Sequence, residues 1–310
     1  MISGRKLTDA CLSRHDAGIL SRQNAGFLAC HDAFLPIIMA PKLSEIGRFK
    51  HFRGLVKILL ACHDVVLSRR QTVVLAFWQA NGDGLPIITL AQTKGGSGKT
   101  TTAEVLIAEF AHLGLSVAAI DLDPNRPLGR FIARAPALSG VQVAVPNDNM
   151  RVSDLIANLS SRFDIVVIDL MGAATPDMMV AIGFSDLVLV PSQLSEPDVR
   201  CGIETWRMIQ EVEQLGRRGI AKAVLLTRTS PALRTRAQEH ARLQYEKVGV
   251  KVLETEFMER VAFKEMTFNG AAPNIQDRES NAAKNVITMF DEIIRMLPGQ
   301  EISRQAAAAQ

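Results

Sequence analysis

The chain is poor in aromatic residues and cysteine, and it contains no long apolar run. Aromatic side chains make up 5% of its 310 residues, with two tryptophans and one tyrosine. So few rings argue against a base-stacking platform for single-stranded nucleic acid and against an aromatic carbohydrate-binding surface. Four cysteines are too few for a disulfide-dense secreted scaffold. No window approaches the roughly 18 consecutive apolar residues that a membrane span requires.

The composition is otherwise that of a globular protein. Hydrophobic residues account for 47% of the chain and charged residues for 22%. These values exclude global disorder, and the length allows one large domain or two modest ones. The first residues hold no compact apolar segment of the signal-peptide kind, so we expect a cytoplasmic protein.

The charge of the chain is unevenly distributed. Residues 1–85 hold 11 basic and 6 acidic residues, whereas residues 86–310 hold 24 basic and 26 acidic residues. The basic surplus therefore lies in the first part, and we predict a domain boundary near residue 85. The rest is interpreted as a domain over 86–297 and a flexible, alanine-rich tail over 298–310.

The first 85 residues contain an eight-residue repeat. Residues 12–19, 20–27 and 28–35 read LSRHDAGI, LSRQNAGF and LACHDAFL, and the theme returns over 60–67 and 68–75. Known structural repeats are longer, about 20–50 residues, because each unit must form a supersecondary element. The repeat therefore does not predict a solenoid.

Three interpretations of this segment stand side by side. The pairs Cys30-His31 and Cys62-His63 suggest a metal site, although adjacent ligands lack the usual spacing of zinc sites. The basic surplus suggests a targeting or DNA-binding arm. The third interpretation, which we favour, is that direct repeats upstream of a gene are translated from a start codon placed too early. It predicts that residues 1–85 pack poorly on the rest and can be deleted without loss of activity.

A strand, a glycine-rich loop and a helix follow from residue 87. Residues 87–91 read IITLA, a short apolar and β-branched run typical of a buried strand. Residues 94–101 read KGGSGKTT, and residues 103–113 then have the apolar spacing of a helix. This order is the context that a phosphate-binding loop requires.

The residue types of this loop suit a nucleoside triphosphate with Mg²⁺. Glycines let backbone N–H groups approach the phosphates, and the N-terminus of the following helix adds free donors and partial positive charge. Lys99 would bridge the β- and γ-phosphates, and the Thr100 hydroxyl would bind Mg²⁺. The expected nucleotide-binding residues are Gly95, Gly96, Ser97, Gly98, Lys99, Thr100 and Thr101.

The loop resembles the deviant Walker A motif K-G-G-x-G-K-[ST] of the ParA/MinD family of ATPases. The resemblance implies ATP and Mg²⁺ as cofactors and a homodimer in the ATP state. It also implies that Lys94 reaches across the dimer interface to the partner's nucleotide. From the sequence alone, Lys94 is equally compatible with a solvated loop lysine.

Two further predicted strands end in acids, at the distances that this family shows. Residues 117–125 read VAAIDLDPN and resemble its D-x-D-P motif, whose second acid, here Asp123, helps to position the attacking water and the Mg²⁺ shell. Asp121 is expected to support the fold or the outer shell of the metal. Residues 163–169 read FDIVVID, a Walker B pattern in which Asp169 would hold a Mg²⁺-bound water. The expected catalytic residues are Lys94, Lys99 and Asp123, and the expected metal ligands are Thr100, Asp123 and Asp169.

The sequence departs from the ParA pattern after Asp169. ParA relatives usually continue with a proline-containing turn, whereas residues 170–173 read LMGA, so the conformation of this switch loop does not carry over. The missing proline and the sequence Asn125-Arg126-Pro127-Leu128 resemble the VirC-type homologues of T-DNA transfer systems. The whole resemblance covers about residues 86–297.

The remaining pattern alternates strands and helices. This alternation implies a doubly wound α/β fold with a mostly parallel sheet and helices on both faces, as in P-loop NTPases. Further strands are predicted over 141–145, 187–190, 223–226 and 250–253. Helices are predicted over 151–160, 175–183, 196–215, 233–247 and 281–297. The nucleotide site is expected at the carboxyl ends of the strands.

The ParA resemblance implies non-specific DNA binding in the ATP state through surface arginines. A row of three or four such contacts predicts a steep salt dependence, although a solvated helix face is an equally good interpretation of these residues. The candidate contacts are Arg228, Arg234, Arg236, Arg242, Arg260 and Lys264. Residues 263–270 resemble the family's loop that closes near the adenine. Arg228 or Met258 would touch the adenine base.

MinD-type relatives end in a basic amphipathic helix that binds membrane. The last predicted helix of this chain carries Asp291 and Glu292 against Lys284 and Arg295, and a polar tail follows. We therefore expect no membrane partner.

These patterns together predict an ATPase of the ParA class for plasmid or chromosome partition. It would associate with the nucleoid when ATP-bound, hydrolyse ATP slowly and act through a ParB-like adaptor. The alternatives are a VirC-like ATPase that recruits a relaxosome protein in conjugative DNA transfer, and a positioning ATPase for a protein cargo. A metabolic P-loop kinase or ligase is a third alternative, which Lys94 and the D-x-D-P motif disfavour.

Overall fold

The structure is a computed structural model that describes residues 86–146, 150–232 and 235–297. The interpretations of residues 1–85, the predicted tail over 298–310 and the candidate Arg234 lie outside the described residues. The described part of the chain contains one parallel sheet of seven strands, and helices cover both of its faces. This arrangement confirms the predicted doubly wound α/β fold.

The strands occur in the sheet in the order β3-β2-β4-β1-β5-β6-β7, and all their pairings are parallel. The strands are β1 (Ile87–Leu90), β2 (Val117–Asp121), β3 (Gln142–Ala144), β4 (Ile165–Asp169), β5 (Leu187–Ser192), β6 (Ala221–Thr229) and β7 (Phe257–Met258). Every residue of β1, β2, β4 and β5 is buried, as expected for a parallel sheet that is covered on both faces.

The helices connect the strands and form two layers. They are α1 (Lys99–His112), α2 (Pro127–Arg134), α3 (Val152–Ser160), α4 (Pro176–Phe184), α5 (Glu196–Gly216), α6 (Arg236–Lys247), α7 (Val261–Asn269), α8 (Pro273–Gln276) and α9 (Asn281–Ile294), with a short 3-10 turn at Pro136–Leu138. One layer contains α3, α4, α5 and α6, whose apolar residues pack with Ile120, Ile168 and Val190 of the sheet. The other layer contains α1, which contacts α2, α8 and α9.

The strand register brings the motif residues to one edge of the sheet. Asp121 of β2 lies opposite Asp169 of β4, and Leu90 of β1 lies opposite Asp169 on the other side. Because all three strands are parallel, their carboxyl ends meet at this edge, where the chain order also reverses about β1. The loop that follows β1 therefore leaves the sheet at the same edge as both acids.

The prediction of a strand over 250–253 was wrong. The segment predicted as a strand over 250–253 makes only a single bridge, between Val252 and Val224. The backbone N–H groups of Glu254 and Thr255 donate instead to the carboxylate of Glu292, which leads the chain away from the sheet. The seventh strand is the short β7 further along the chain.

The segment 263–270, which resembles an adenine-closing loop, is for the most part the helix α7. Phe263 and Met266 lie one turn apart and are buried, which anchors the helix. Gly270 ends it in the left-handed conformation (φ 69°), a common C-cap. Helix α2 was not predicted at all. Helix α6, predicted over 233–247, begins at Arg236 in the structure because Thr235 is its N-cap.

None of the described helices combines the length and the apolar character of a membrane-spanning segment.

Candidate nucleotide-binding site

The loop between β1 and α1 has the conformation of an anion cradle. Gly96 and Gly98 adopt positive φ angles of 77° and 98°, which glycine accepts without strain. A Cβ placed on Gly95 or Gly96 would meet no atom within 4 Å, so this side of the loop faces open space. The first N–H groups of α1 point from the same place, and a helix N-terminus favours negative charge. The geometry suits a polyphosphate.

Three residues from distant strands hold this loop in place. The Thr227 hydroxyl at the end of β6 donates to the carbonyl of Ser97 at 2.8 Å, and the Gln193 amide donates to the carbonyl of Gly96 at 2.7 Å. Gly172, in the turn after β4, lies so close that a Cβ on it would be 2.6 Å from the backbone nitrogen of Gly95. Sequence reasoning did not assign these roles, because no local pattern marks the contacts.

Lys99 lies inside the loop at the start of α1. Its side chain is 6% exposed, and its ammonium donates to the carbonyl of Lys94 at 3.2 Å. Burial lowers the pKa of Lys99, while the nearby carboxylates of Asp169 and Asp123 act in the opposite direction. A phosphate bound by the loop would supply the negative charge that this buried cation needs.

Thr100 and Asp169, the expected metal ligands of the loop and of β4, are in direct contact. The Thr100 hydroxyl donates to Oδ2 of Asp169 at 2.7 Å. Burial raises the pKa of Asp169 to about 7, against the effect of the Thr100 hydrogen bond. The other carboxylate oxygen, Oδ1, is buried and has no hydrogen-bond partner in the described part of the chain. A buried carboxylate with an unused oxygen beside a hydroxyl is a suitable outer or inner ligand for a hard cation.

The donor set fits Mg²⁺ bound together with phosphates rather than a metal held by protein alone. Within the described ranges, no three His, Cys, Asp or Glu side chains converge as a metal site. Mg²⁺ usually takes one or two protein oxygens and completes its shell with water and substrate phosphates. Thr100 and Asp169 would hold it, and the cation would neutralise phosphate charge next to the loop.

Asp121 and Asp123 have different surroundings. Asp121 is fully buried and accepts backbone N–H groups from Asp123 at 3.1 Å and Gly129 at 2.9 Å. Burial raises the pKa of Asp121, and these hydrogen bonds oppose the shift. Asp123 is half-buried, and its carboxylate accepts the N–H of Asn125 at 2.8 Å. Asp121 thus braces the turn that presents Asp123 near Lys99.

Glu104 is a further acid near this site. It lies one helical turn after Thr100 on α1, and it is only 4% exposed. Side chains on a helix lean toward its N-terminus, so Glu104 leans toward the loop. Burial raises the pKa of Glu104 to about 8, and the neighbouring Asp169 and Asp121 contribute to the shift. Its Oε2 has no hydrogen-bond partner among the described residues. A glutamate inside an apolar helical run was the available sequence signal.

Lys94 is held by its own chain. Its ammonium lies 2.6 Å from Oδ1 of Asp198, in the first turn of α5. The Lys94 side chain is 38% exposed, whereas that of Asp198 is 5% exposed and also accepts the Ser195 hydroxyl. Lys94 therefore does not point freely into solvent.

The candidate DNA contacts that the structure describes have different surroundings. Arg242 pairs with Glu256 at 3.0 Å, and Lys264 pairs with Glu259 at 2.8 Å. Arg260 contacts the sulfur of the half-buried Met258. Arg236 is exposed at the first position of α6, and the exposed Arg228 has a left-handed backbone at the end of β6.

Known protein families and relatives match the part of the chain that contains this site. Residues 85–289 match the family model described as VirC1 protein. A protein ParA of Rhizobium radiobacter is 32% identical over 206 residues, which are 64% of this chain and 90% of that protein. A protein virC1 of the same organism is 28% identical over 194 residues, which are 60% and 82% of the two chains.

Solved structures share the fold. The ATP complex of a Cyanothece McdA variant has a TM-score of 0.58 at 20% identity, and the match covers 68% of this chain and 97% of that chain. The Pyrococcus furiosus cell division ATPase MinD has a TM-score of 0.52 at 21% identity, with coverages of 67% and 98%. The family match covers more than half of the chain, and it agrees with the deviant phosphate-binding loop and the two acids at the strand ends. The chain therefore belongs to the VirC1 family, within the ParA/MinD-type P-loop ATPases.

Proposed function

We propose that this protein is an ATP-dependent dimerising switch ATPase for plasmid or chromosome partition. ATP binding drives a homodimer that binds DNA without sequence preference, and slow hydrolysis releases it. A ParB-like adaptor links the dimer to its cargo. The observation that carries the proposal is the loop itself, in which Lys94 and Lys99 flank a glycine cradle beside the Thr100–Asp169 pair.

The residues divide the work of phosphoryl transfer. The loop N–H groups and Lys99 bind and orient the phosphates. Thr100 and Asp169 would hold Mg²⁺, and the cation would supply charge neutralisation at the phosphates. Asp123 orients the attacking water, a role that needs position more than basicity. Asp121 keeps the Asp123 turn in place through its bonds to Asp123 and Gly129.

A role in conjugative DNA transfer is the second candidate. The match to the VirC1 family and the sequence Asn125-Arg126-Pro127-Leu128 favour it. In this case the ATPase recruits a relaxosome protein instead of a partition adaptor. A match of 26% identity over 168 residues to maintenance of carboxysome distribution protein A of Gloeothece citriformis keeps a protein cargo as a further alternative.

Binding of the full-length protein to random-sequence duplex DNA tests the proposal. Anisotropy is measured with ATP, with ADP and without nucleotide, over a salt series, and phosphate release is measured in parallel. Lys99→Ala is the nucleotide-blind variant, and Lys251→Ala, at an exposed lysine, is the control. ATP-specific binding with a steep salt slope supports the proposal. ATP turnover without DNA binding in any state would instead favour a protein cargo.

A further inference from the structure

Helix α2 carries basic residues on the face that it turns away from the core. Its buried residues are Leu128, Phe131 and Ile132. Arg130 and Arg134 lie one turn apart on the opposite side, and both are exposed. Arg126, the exposed N-cap residue, comes one turn earlier.

These three arginines have no acidic partners among the residues that the structure describes. No Asp or Glu occurs between Pro124 and Asn147 in the sequence. In the part of the chain that the structure describes, none of the three arginines forms an ion pair. The contrast is with Arg242 and Lys264, each of which is paired with a carboxylate. A local positive row thus exists in a region whose net charge is negative.

The spacing of the row suits a nucleic acid backbone. Residues four apart on a helix are about 6 Å apart along its axis. Duplex DNA carries one phosphate charge for about every 3.4 Å along each strand, so arginines at this spacing meet separate phosphates. The guanidinium fork binds phosphate oxygens in pairs. The absence of aromatic residues on this described face argues against base stacking and for contacts to the backbone of a duplex.

The row is tied directly to the nucleotide site. The N–H of Arg126 donates to the carbonyl of Asp123 at 2.8 Å, and the N–H of Gly129 donates to the buried Asp121. Arg126 has a φ of 49°, a left-handed conformation that is strained for a residue other than glycine. These two hydrogen bonds tie the first turn of α2 to the Asp123 turn of the nucleotide site.

The other end of α2 is fixed against α7. The Arg134 guanidinium donates to the carbonyl of Thr267 at 3.0 Å. The backbone of Arg134 packs on Gly270 so closely that a Cβ on that glycine would lie 2.3 Å from the Arg134 carbonyl oxygen. One end of the helix thus contacts α7, and the other end is hydrogen-bonded to the turn of the nucleotide site.

We propose that Arg126, Arg130 and Arg134 of α2 form a contact surface for the phosphate backbone of duplex DNA. This inference rests on the proposed function, and it places the DNA contact on the helix that follows the D-x-D-P motif. The candidates Arg242 and Lys264 then serve the fold through their ion pairs.

The test compares double variants of the full-length protein in ATP-dependent binding to random duplex DNA. Arg130→Gln/Arg134→Gln removes two charges from the row. Arg126→Gln/Arg130→Gln does the same and leaves the Arg134–Thr267 bond intact. Arg162→Gln/Arg207→Gln removes two exposed charges elsewhere and is the matched control. Binding of a fluorescent ATP analogue is measured for each variant to verify that the nucleotide site is folded.

We expect both row variants to lose at least about tenfold in DNA affinity, and the slope of log K against log salt to fall by about 1.8, or 0.9 for each lost phosphate contact. The control should keep its slope, and all variants should bind nucleotide normally. If the wild type binds DNA with ATP but the row variants keep its affinity and slope, the row is not the contact. If the control loses as much affinity as the row variants, net charge alone explains the loss and the row is again overturned. If the wild type shows no ATP-dependent DNA binding, the proposed function itself is wrong, and the row falls with it.

Discussion

The ammonium of Lys94 and the carboxylate of Asp198 form a 2.6 Å ion pair within one chain. The pair joins the loop after β1 to the first turn of α5. The family resemblance gives Lys94 a different destination, the nucleotide of a partner subunit. One ammonium cannot occupy both positions, so the pair with Asp198 would compete with the proposed dimer contact.

Asp198→Asn should make dimerisation easier. The amide keeps the shape of the side chain but loses its charge, so Lys94 is released toward the partner. We expect ATP-dependent dimers at a severalfold lower protein concentration, measured by analytical ultracentrifugation with a non-hydrolysable ATP analogue. Lys94→Ala should bind nucleotide and stay monomeric. Normal dimers of Lys94→Ala would show that Lys94 is only a surface residue.

Asp123→Ala should bind ATP and dimerise but turn over slowly. In the proposed mechanism the carboxylate positions water rather than phosphate, so its loss should leave ATP affinity intact. Misplacing a reacting group typically costs about 100-fold in rate, and we expect a loss of this order in phosphate release. Asp177→Ala, at an exposed acid in the first turn of α4, is the control. Wild-type turnover by Asp123→Ala would remove Asp123 from the mechanism.

The buried Glu104 should make the nucleotide-free protein less stable as the pH rises. Its pKa is about 8 in the folded state, against an ordinary value of 4.5. Between these values the folded state binds more protons than the unfolded state, so the free energy of unfolding falls with pH, by up to about 1.4 kcal/mol per unit. Glu104→Gln, which mimics the protonated acid, should lack this part of the slope.

Urea denaturation at pH 5, 6.5 and 8 measures the effect of Glu104. The stability advantage of Glu104→Gln over the wild type should be smallest at pH 5 and largest at pH 8. Glu204→Gln, at an exposed position on α5, should follow the wild type at every pH. Parallel curves for wild type and Glu104→Gln would mean that Glu104 is ionised in the folded state.

Gly172→Ala should damage the phosphate-binding loop from a distance. The new methyl group would lie 2.6 Å from the backbone nitrogen of Gly95, so the loop or the turn must move. Overpacking of this kind costs roughly 1–3 kcal/mol, and if this cost falls on the nucleotide-binding conformation, ATP affinity drops by about 5- to 150-fold. Gly219→Ala is the control, since its Cβ would meet nothing within 4 Å. Equal ATP affinities of the two variants would contradict the contact.

Short sequence patterns predicted the phosphate-binding loop and the edge of the sheet where it lies. The apolar strand before residue 94, the glycines and the sequence Lys99-Thr100 predicted a phosphate-binding loop, and the apolar strands that end in Asp121 and Asp169 predicted the sheet edge. These signals lie within a few residues of one another, so they can be read without knowing the rest of the fold. Because parallel strands share one carboxyl edge, the sequence also predicted the site at that edge, where the structure shows the Thr100–Asp169 hydrogen bond.

The apolar pattern did not predict the secondary structure correctly where contacts between distant residues determine the path of the backbone. Residues 250–253 have the apolar pattern of a strand, and Val250 and Leu253 are indeed buried. They form only one bridge, since Glu292 from α9 takes the following N–H groups. Helix α2 was missed because it begins with Pro127 and contains Gly129, and neither residue favours a helix interior. In the structure, the backbone N–H of Gly129 donates to the carboxylate of Asp121.

The sequence by itself thus determined the fold class, the phosphate-binding loop and the acids around it, because each depends on short-range periodicity and residue type. Only the tertiary structure decided that Asp198 holds Lys94, that Gly172 presses on Gly95 and that Glu104 shares the acid cluster of Asp121 and Asp169. The partners of the first two contacts are separated by 77 or more residues in the chain, and the sheet packs all of them at one edge. Burial and close packing then shift pKa values and create contacts that no local pattern encodes.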